Sequence, residues 1–434
     1  MFIIGSKSRW LHLATVISTM ALLAGLLISG CLSAAAAAEE KITLHYFTWA
    51  TGASMDYIKE DFIIPFQKLH PNIEIKHEAV SFGQFFDKLV AYHVAGNPPD
   101  LMHMSVGYVY DYAQQGFLLN LQPYFDRDLK ESDFFMEPMK AMRYPTMENG
   151  DLYGIPFAFV MSTFYYNKSM FAEMGVTPPP ANWTWDYVRE IGRKFTVDTS
   201  GDGKPDRWGF YSTYDYKLLD MIIHSYGGAT LNDKFEVVLN QPAALSAINF
   251  LVDMIHKDLV APPLSAGSAN NLFTQQKLAM VVENISTLST YRSQAKFDWD
   301  VAHMPAGPVK KVVRLWPDSF AISAKSKNIE AAWEYIKFVI TQTKMDRYSG
   351  ERKVPIYRQL ATSKEWLELD KLPNKMILIE NIPYGDPLEF RPLWGQWNDA
   401  RGNALAPAWR GEISVAYAVE NAANIIRNII NPPK

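Results

Sequence analysis

From residue 41 onward the chain switches repeatedly between a period of two and a period near 3.6, and this switching constrains its fold more than any other feature. Residues 41–49, KITLHYFTW, alternate Ile42, Leu44 and Tyr46 with Thr43, His45 and Phe47, which predicts a strand. A helix is expected from Ser54 to Leu69, ending before Pro71. IEIKHEAV at 73–80 reads as a second strand, and a helix from Phe82 to Val94 is stopped by GNPP. Strand and helix in alternation indicate an α/β sheet. Farther on, Asn240 is expected to cap a helix that has Pro242 in its first turn. Leu245, Ile248, Val252, Ile255 and Leu259 then recur at spacings of three and four, one apolar face of a helix. Ile329, Trp333, Ile336 and Ile340 repeat the pattern, as do Val415, Val419, Ala422, Ile426 and Ile429; these stripes are read as core.

A chain of 434 residues is too long for one compact core, so at least two domains are expected. With 48% hydrophobic and 20% charged residues it reads as globular rather than disordered. The net charge of −4 offers no basic footprint for nucleic acid. The 12 Trp, 22 Tyr and 24 Phe suit both cores and a cleft that holds flat ligands by stacking, and composition does not separate the two uses.

Lys7 and Arg9 precede an apolar run from Leu11 to Ile28 that ends in Ile28-Ser29-Gly30-Cys31. This ending resembles the bacterial lipobox, in which a signal peptidase cuts before a cysteine that carries lipid. Residues 1–30 are therefore expected to be a lipoprotein signal peptide, Cys31 the lipidated residue, and 31–40 a short linker. Two alternatives stay open: a retained membrane helix, and cleavage after the Ala34–Ala38 run that releases the protein. All three put the rest of the chain outside the cytoplasm. Cys31 is the sole cysteine, so no internal disulfide is possible.

Several segments, in order, resemble the family 1 extracellular solute-binding proteins, the sugar-importer group that includes the maltose-binding type. They are AGNPPDLMHMS at 95–105, QGFLLNLQPY at 115–124, NGDLYGIPFAFVMSTFYYNKSMFAEMGVTPPPANWTWDYV at 149–188, FTQQKLAMVVEN at 273–284 and AAWEYIKFV at 331–339. In the fourth, Gln276 replaces the family's usual glycine. The resemblance implies an α/β, type II periplasmic-binding-protein-like fold of two lobes joined by crossing strands, with the ligand between them. By that mapping lobe one holds 41–152 and 305–350, lobe two holds 153–304 and 351–434, and YGIP at 153–156 is a hinge crossing. It also implies no catalysis, no functional cofactor, ABC permease subunits as partners, and a monomer held at the membrane by its lipid.

A saccharide site needs polar side chains for hydroxyls and rings for sugar faces. Trp49 ends the first strand, either at the cleft or covering its own lobe. Ser105 and Tyr108 follow LMHM, where the serine could also cap the next helix. Tyr226 precedes Gly227-Gly228, a pair that permits close backbone approach or simply makes a turn. Glu283 and Asn284 end LAMVVEN, and Trp316 and Asp318 lie in RLWPDSFAIS. Of Trp394 and Trp397, one is expected to stack on the ligand and the other to be core, whereas Trp183 and Trp185 are read as packing.

DTSGDGKPDRWG at 198–209 matches most of an EF-hand calcium loop. Asp198, Ser200, Asp202, the Lys204 carbonyl and Asp206 would be ligands, but Gly209 stands where the bidentate Glu belongs. The competing reading is a surface turn stabilised by its own side chains. Enzyme signatures are missing: Asp298 and Asp300 have no opposing carboxylate for glycoside hydrolysis, and there is no G-x-S-x-G elbow, zinc helix or P-loop. The main alternative is the same fold binding a peptide, polyamine or glycerol phosphate; a surface adhesin is a third reading.

Overall fold

The computed structural model describes residues 40–343, 353–369, 372, 374–386 and 393–431. The expected signal segment, Cys31 and all but the last residue of the linker lie outside the described residues.

Strands β1 (Ile42–Thr48) and β2 (Ile73–Ala79) stand where the alternation places them, as does the helix Phe82–Val94. They are followed by β3 (Leu101–Ser105), a small ribbon of β4 (Arg143–Tyr144) and β5 (Asp151–Leu152), and the long β6 (Ile155–Asn167). Next come β7 (Trp208–Phe210), β8 (Leu278–Asn284), β9 (Trp299–Ala302), β10 (Val313–Ile322), β11 (Val354–Pro355) and β12 (Gly385–Asp386). Among the described residues ten strands form one sheet, in the order β2-β1-β3-β10-β6-β8-β7, with β9 and β11 on β6 and β12 on β10. β1 is parallel to β2 and β3, and β7 is parallel to β8. Between these two parallel pieces β10 and β6 run antiparallel to each other and to their other main neighbours, β3 and β8.

Those two strands tie the molecule together. Thirteen residues of β6 span about 43 Å at roughly 3.3 Å per residue. Its first part, through Met161, pairs with β10, and from Ser162 it pairs with β8. β10 likewise begins beside β12 and ends beside β3. The partner change thus falls in mid-strand, downstream of the YGIP segment expected to cross. Gly154 has a packing reason instead: a Cβ there would lie 3.0 Å from Ser319 Oγ and 3.1 Å from Met142 Sδ.

Two further segments pack differently from the expected division. Residues 306–311, assigned to lobe one, pack on the other half: Trp185 N–H donates to Ala306 O, and Val309 N–H to Ser225 O. Val354–Arg358, assigned to lobe two, packs on the first half: β11 pairs with Phe159 and Ala158, and Arg358 Nε donates to Phe134 O at 2.8 Å. Gly and Pro punctuation marks loops, and a mid-strand exchange of partners leaves no such mark.

The three apolar stripes occupy the helices Pro242–His256, Ile329–Gln342 and Val415–Ile430. Two details differ from expectation. Leu259 lies beyond the first helix in a left-handed turn, φ 56°, and is 54% exposed. Asn240 does not cap that helix; its amide donates to Glu420, and Gln241 stands at the cap position. The helical stretch from Ala53 to Leu69 contains a π-helical segment, Ile58–Ile63. Pro65 explains it, since proline lacks an N–H and its ring would clash with the Asp61 carbonyl in a regular helix.

Gln276, at the family's glycine position, has φ +58° and is exposed. The turn still demands what glycine supplies, and a residue with a Cβ is strained there. Gln276→Gly is expected to stabilise the protein by about 1 kcal/mol, read as a higher urea midpoint with unchanged slope. An unchanged or lower midpoint would show that the turn carries no strain.

Candidate ligand-binding cleft

Strand geometry brings the first three groups together. Arg314, Trp316 and Asp318 are two apart on β10, so their side chains share one face of the sheet. Asp318 sits opposite Ser105 at the end of β3 and is held by Lys353 Nζ at 2.5 Å. The Ser105 hydroxyl is buried and has no hydrogen-bond partner among the described residues.

The facing half supplies two helix starts and a strand end. Asp215 caps the helix Tyr216–Ser225 by accepting from Lys217 N–H at 2.9 Å, which sets Tyr216 and Lys217 in the first turn. Trp394 opens the helix Trp394–Trp409. The Trp316 and Trp394 ring centroids are 5.2 Å apart, and Tyr216 lies 5.7 Å from each, all tilted or edge-on. Such arrangements favour aromatic contact over a flat sandwich. The Arg314 guanidinium packs 4.2 Å from the Trp316 ring and 4.5 Å from that of Tyr216.

At the end of β8, Glu283 accepts from Lys217 Nζ at 3.3 Å, and Asn284 Oδ1 is 3.5 Å from Arg314 Nη1. Burial pushes the Glu283 carboxyl above its usual range, against the opposing pull of Lys217. Burial works to lower the Lys217 ammonium, but the Glu283 and Asp215 carboxylates outweigh it and raise the group. Burial lowers Arg314, against the opposing pull of Tyr216 and of the Asp220 and Asp215 carboxylates.

The two halves touch beside this cluster. The helix Val106–Gln114 meets the start of the Trp394 helix at Gly107, where a Cβ would lie 3.1 Å from the indole. Tyr108 stacks on Phe86, and its phenol is raised by burial and then by the Asp87 and Asp399 carboxylates, one from each side of the gap.

Trp316, Trp394, Glu283 and Asn284 are thus linked through Tyr216, Lys217 and Arg314, with Asp318 and Ser105 beside Trp316 on the sheet and Tyr108 on the helix that meets Trp394 at Gly107. Three other candidates lie outside this group. Trp397 is 0% exposed, its ring 5.4 Å from the Arg401 guanidinium, so it is the core member of the pair. Tyr226 follows the far end of the Tyr216 helix, roughly 15 Å along at 1.5 Å per residue, and packs on Phe250. Trp49 packs edge-on against Phe82, Phe85 and His103 of its own half and reaches the group only through Phe86, 6.1 Å away, on which Tyr108 stacks. Sequence reading missed Arg314, Tyr216 and Lys217. The two-residue spacing from Arg314 to Trp316, and the Asp-Tyr-Lys start of a helix, were the available signals.

The family model for bacterial extracellular solute-binding proteins matches residues 48–345. The chain belongs to this family. Among curated relatives, this solute-binding protein is 26% identical to a binding protein of Brucella abortus over 414 residues, covering 93% of this chain and 96% of that one. It is 22% identical over 340 residues to the multiple sugar-binding protein of Streptococcus mutans, covering 71% and 74%. Its fold matches that of an ABC substrate-binding protein of Listeria monocytogenes, solved in complex with cycloalternan, with TM-score 0.72, 23% identity and coverage of 90% and 99%. The mixed α/β architecture of two-lobed solute-binding proteins is thereby established.

In this solute-binding protein the acidic loop at 198–206 bonds to itself. Asp198 accepts from Ser200 Oγ and from the N–H groups of Gly201 and Gly203, while Asp206 accepts from Thr199. These bonds lower both carboxyls. Among the described residues no group of three or more His, Cys, Asp or Glu side chains is placed to hold a metal ion. Likewise, no described helix is long and apolar enough to cross a membrane.

Proposed function

We propose that this protein captures a saccharide between two α/β bodies and delivers it, unchanged, to the membrane subunits of an ATP-driven importer. The observation that carries the reading is the juxtaposition at the partner change of β6 and β10. Three aromatic rings, Trp316, Tyr216 and Trp394, stand beside a carboxylate, an amide, an ammonium and a guanidinium. Rings take the C–H faces of a sugar, and the polar groups take its hydroxyls. The names of two relatives point the same way, the Streptococcus mutans protein and a galactooligosaccharide-binding protein of Bacillus subtilis, whereas a relative from Pectobacterium atrosepticum, matched over 55% of this chain, is named for sn-glycerol-3-phosphate. We place the body boundaries at Met161/Ser162 in β6 and at Leu315–Asp318 in β10, so the two long strands act as the hinge.

Glycerol phosphate is disfavoured. Among the described residues Lys217 and Lys353 are each already paired with an acid and Arg314 lies beneath the rings, so the described part of the gap offers no cluster of free cations for a phosphate. Thermal-shift measurement tests the reading with maltose, maltotriose, cycloalternan and a galactooligosaccharide. A ligand at 100 times its Kd adds about 2.7 kcal/mol, a clear rise in Tm. If all four leave Tm unmoved while an amino acid, peptide, polyamine or glycerol phosphate raises it, the saccharide reading fails. Recovery of chemically altered saccharide after incubation would overturn the assignment as a binding protein without catalysis.

Two further proposals concern segments away from the gap. Cleavage before Cys31 and lipidation of its sulfur anchor the mature chain outside the cytoplasm as a monomer; mass spectrometry of the membrane-fraction protein should then find residues 1–30 removed and Cys31 carrying lipid. The loop Asp198, Ser200, Asp202, Lys204 and Asp206 takes a structural calcium ion weakly, because it lacks the bidentate Glu. Its Kd is expected on the order of 10⁻⁴–10⁻³ M. Adding millimolar calcium to chelator-treated protein should raise Tm, and no response would leave the loop as a self-bonded turn.

A further inference from the structure

We infer that Arg314 is a positioning residue for ligand binding, acting through the rings that cover it. This rests on the saccharide reading above.

Arg314 is 1% exposed. Among the described residues no carboxylate lies within ion-pair distance of it, and its Nε has no acceptor. Its polar side-chain contact is the long approach to Asn284 Oδ1 at 3.5 Å, and Tyr216 and the Asp220 and Asp215 carboxylates act on it electrostatically from outside ion-pair distance. A buried cation without a paired charge is costly, and replacing such a group with an apolar residue of similar volume is often neutral or stabilising. Fold stability therefore does not account for an arginine at this position.

Its neighbours supply a reason. The guanidinium packs against Tyr216 from the second body and against Trp316 from β10, and Trp394 closes the group against both rings. A planar guanidinium is suited to such stacking, and each desolvated contact with an aromatic face is substantial. Trp316 sits on the crossing strand, whereas Tyr216 and Trp394 stand at the starts of two separate helices. Arg314 fixes the first two rings relative to each other, so the surface offered to a sugar is set before the sugar arrives. The apolar substitution is thus expected to spare the fold and damage recognition.

The experiment compares Arg314→Met with the wild type in three measurements. These are Tm without ligand, the near-UV circular dichroism of the tryptophans, and Kd for whichever of maltose, maltotriose, cycloalternan or the galactooligosaccharide shifts the wild type. The expected result is an unchanged or higher Tm, an altered near-UV band and affinity weakened at least tenfold. Wild-type affinity in the variant overturns the inference. So does a fall in Tm that accompanies the affinity loss, since that assigns Arg314 to the fold. If Arg314→Met does not fold, Arg314→Lys decides: it keeps the charge without the plane, so a several-fold loss of affinity supports the inference and wild-type affinity overturns it. Should the wild type bind none of the four while an amino acid, peptide, polyamine or glycerol phosphate binds, the saccharide reading fails by itself. The ligand-free spectrum then still decides whether Arg314 orders the rings: an altered band upholds that role and an unchanged band overturns it.

Discussion

Trp316→Ala is expected to weaken saccharide binding about 30-fold or more, corresponding to the roughly 2 kcal/mol that marks a binding hot spot. Trp316, like Tyr216, touches every other part of the platform, and at the shorter distances: Trp394 at 5.2 Å, Tyr216 at 5.7 Å and the Arg314 guanidinium at 4.2 Å. Its removal takes away a sugar-facing surface and also the wall against which the other rings stand. It further opens water to Arg314, which loosens the platform's floor. Because Trp316 is only partly buried, the fold should lose much less than it would from truncating the core ring Trp397. Isothermal titration of the saccharide that shifts the wild type measures the effect. Trp49→Ala serves as the comparison, since that ring packs within its own half and should change affinity far less. If Trp316→Ala keeps affinity within twofold, the platform is not where the ligand binds.

The contrast between Trp316 and Arg314 shows how far a sequence can be read. β1, β2 and the helix Phe82–Val94 were legible because a local hydrophobic period dictates them. So were the three apolar stripes, since a residue's neighbours three or four positions away settle its face. Individual aromatic candidates at strand ends and helix starts were legible for the same reason. The mid-strand exchange at Met161/Ser162 was not, because it depends on which distant strand lies alongside. Nor was the sorting of Trp394 from Trp397. Both lie in one segment, and only the packing of Arg401 behind Trp397 distinguishes them. Arg314 was passed over because a lone arginine on a strand ordinarily faces water; only the convergence of Tyr216, Trp316 and Asn284 around it shows otherwise.

Asp220→Ala is expected to destabilise the protein by about 3–5 kcal/mol, the cost of stranding a buried charge. Arg401 is 1% exposed and holds Asp220 Oδ1 at 2.5 Å, while its other donors reach Thr230 Oγ1 at 2.6 Å and Asn398 Oδ1 at 2.9 Å. Without Asp220 the guanidinium keeps two neutral acceptors and loses its counter-charge in a site closed to water. The pair also bears on binding. Asp220 lies on the helix that begins with Tyr216, and Arg401 on the helix that begins with Trp394, so this ion pair locks together the elements that present two rings of the platform. Urea denaturation should therefore show a lower midpoint, and titration a weaker saccharide affinity, in the same variant. The double substitution Asp220→Leu with Arg401→Met should recover most of the lost stability, because two apolar side chains replace the pair without leaving a charge behind. If the single variant loses less than about 1 kcal/mol, the pair behaves like a solvent-exposed one, and the coupling of the two helices through it would have to be abandoned.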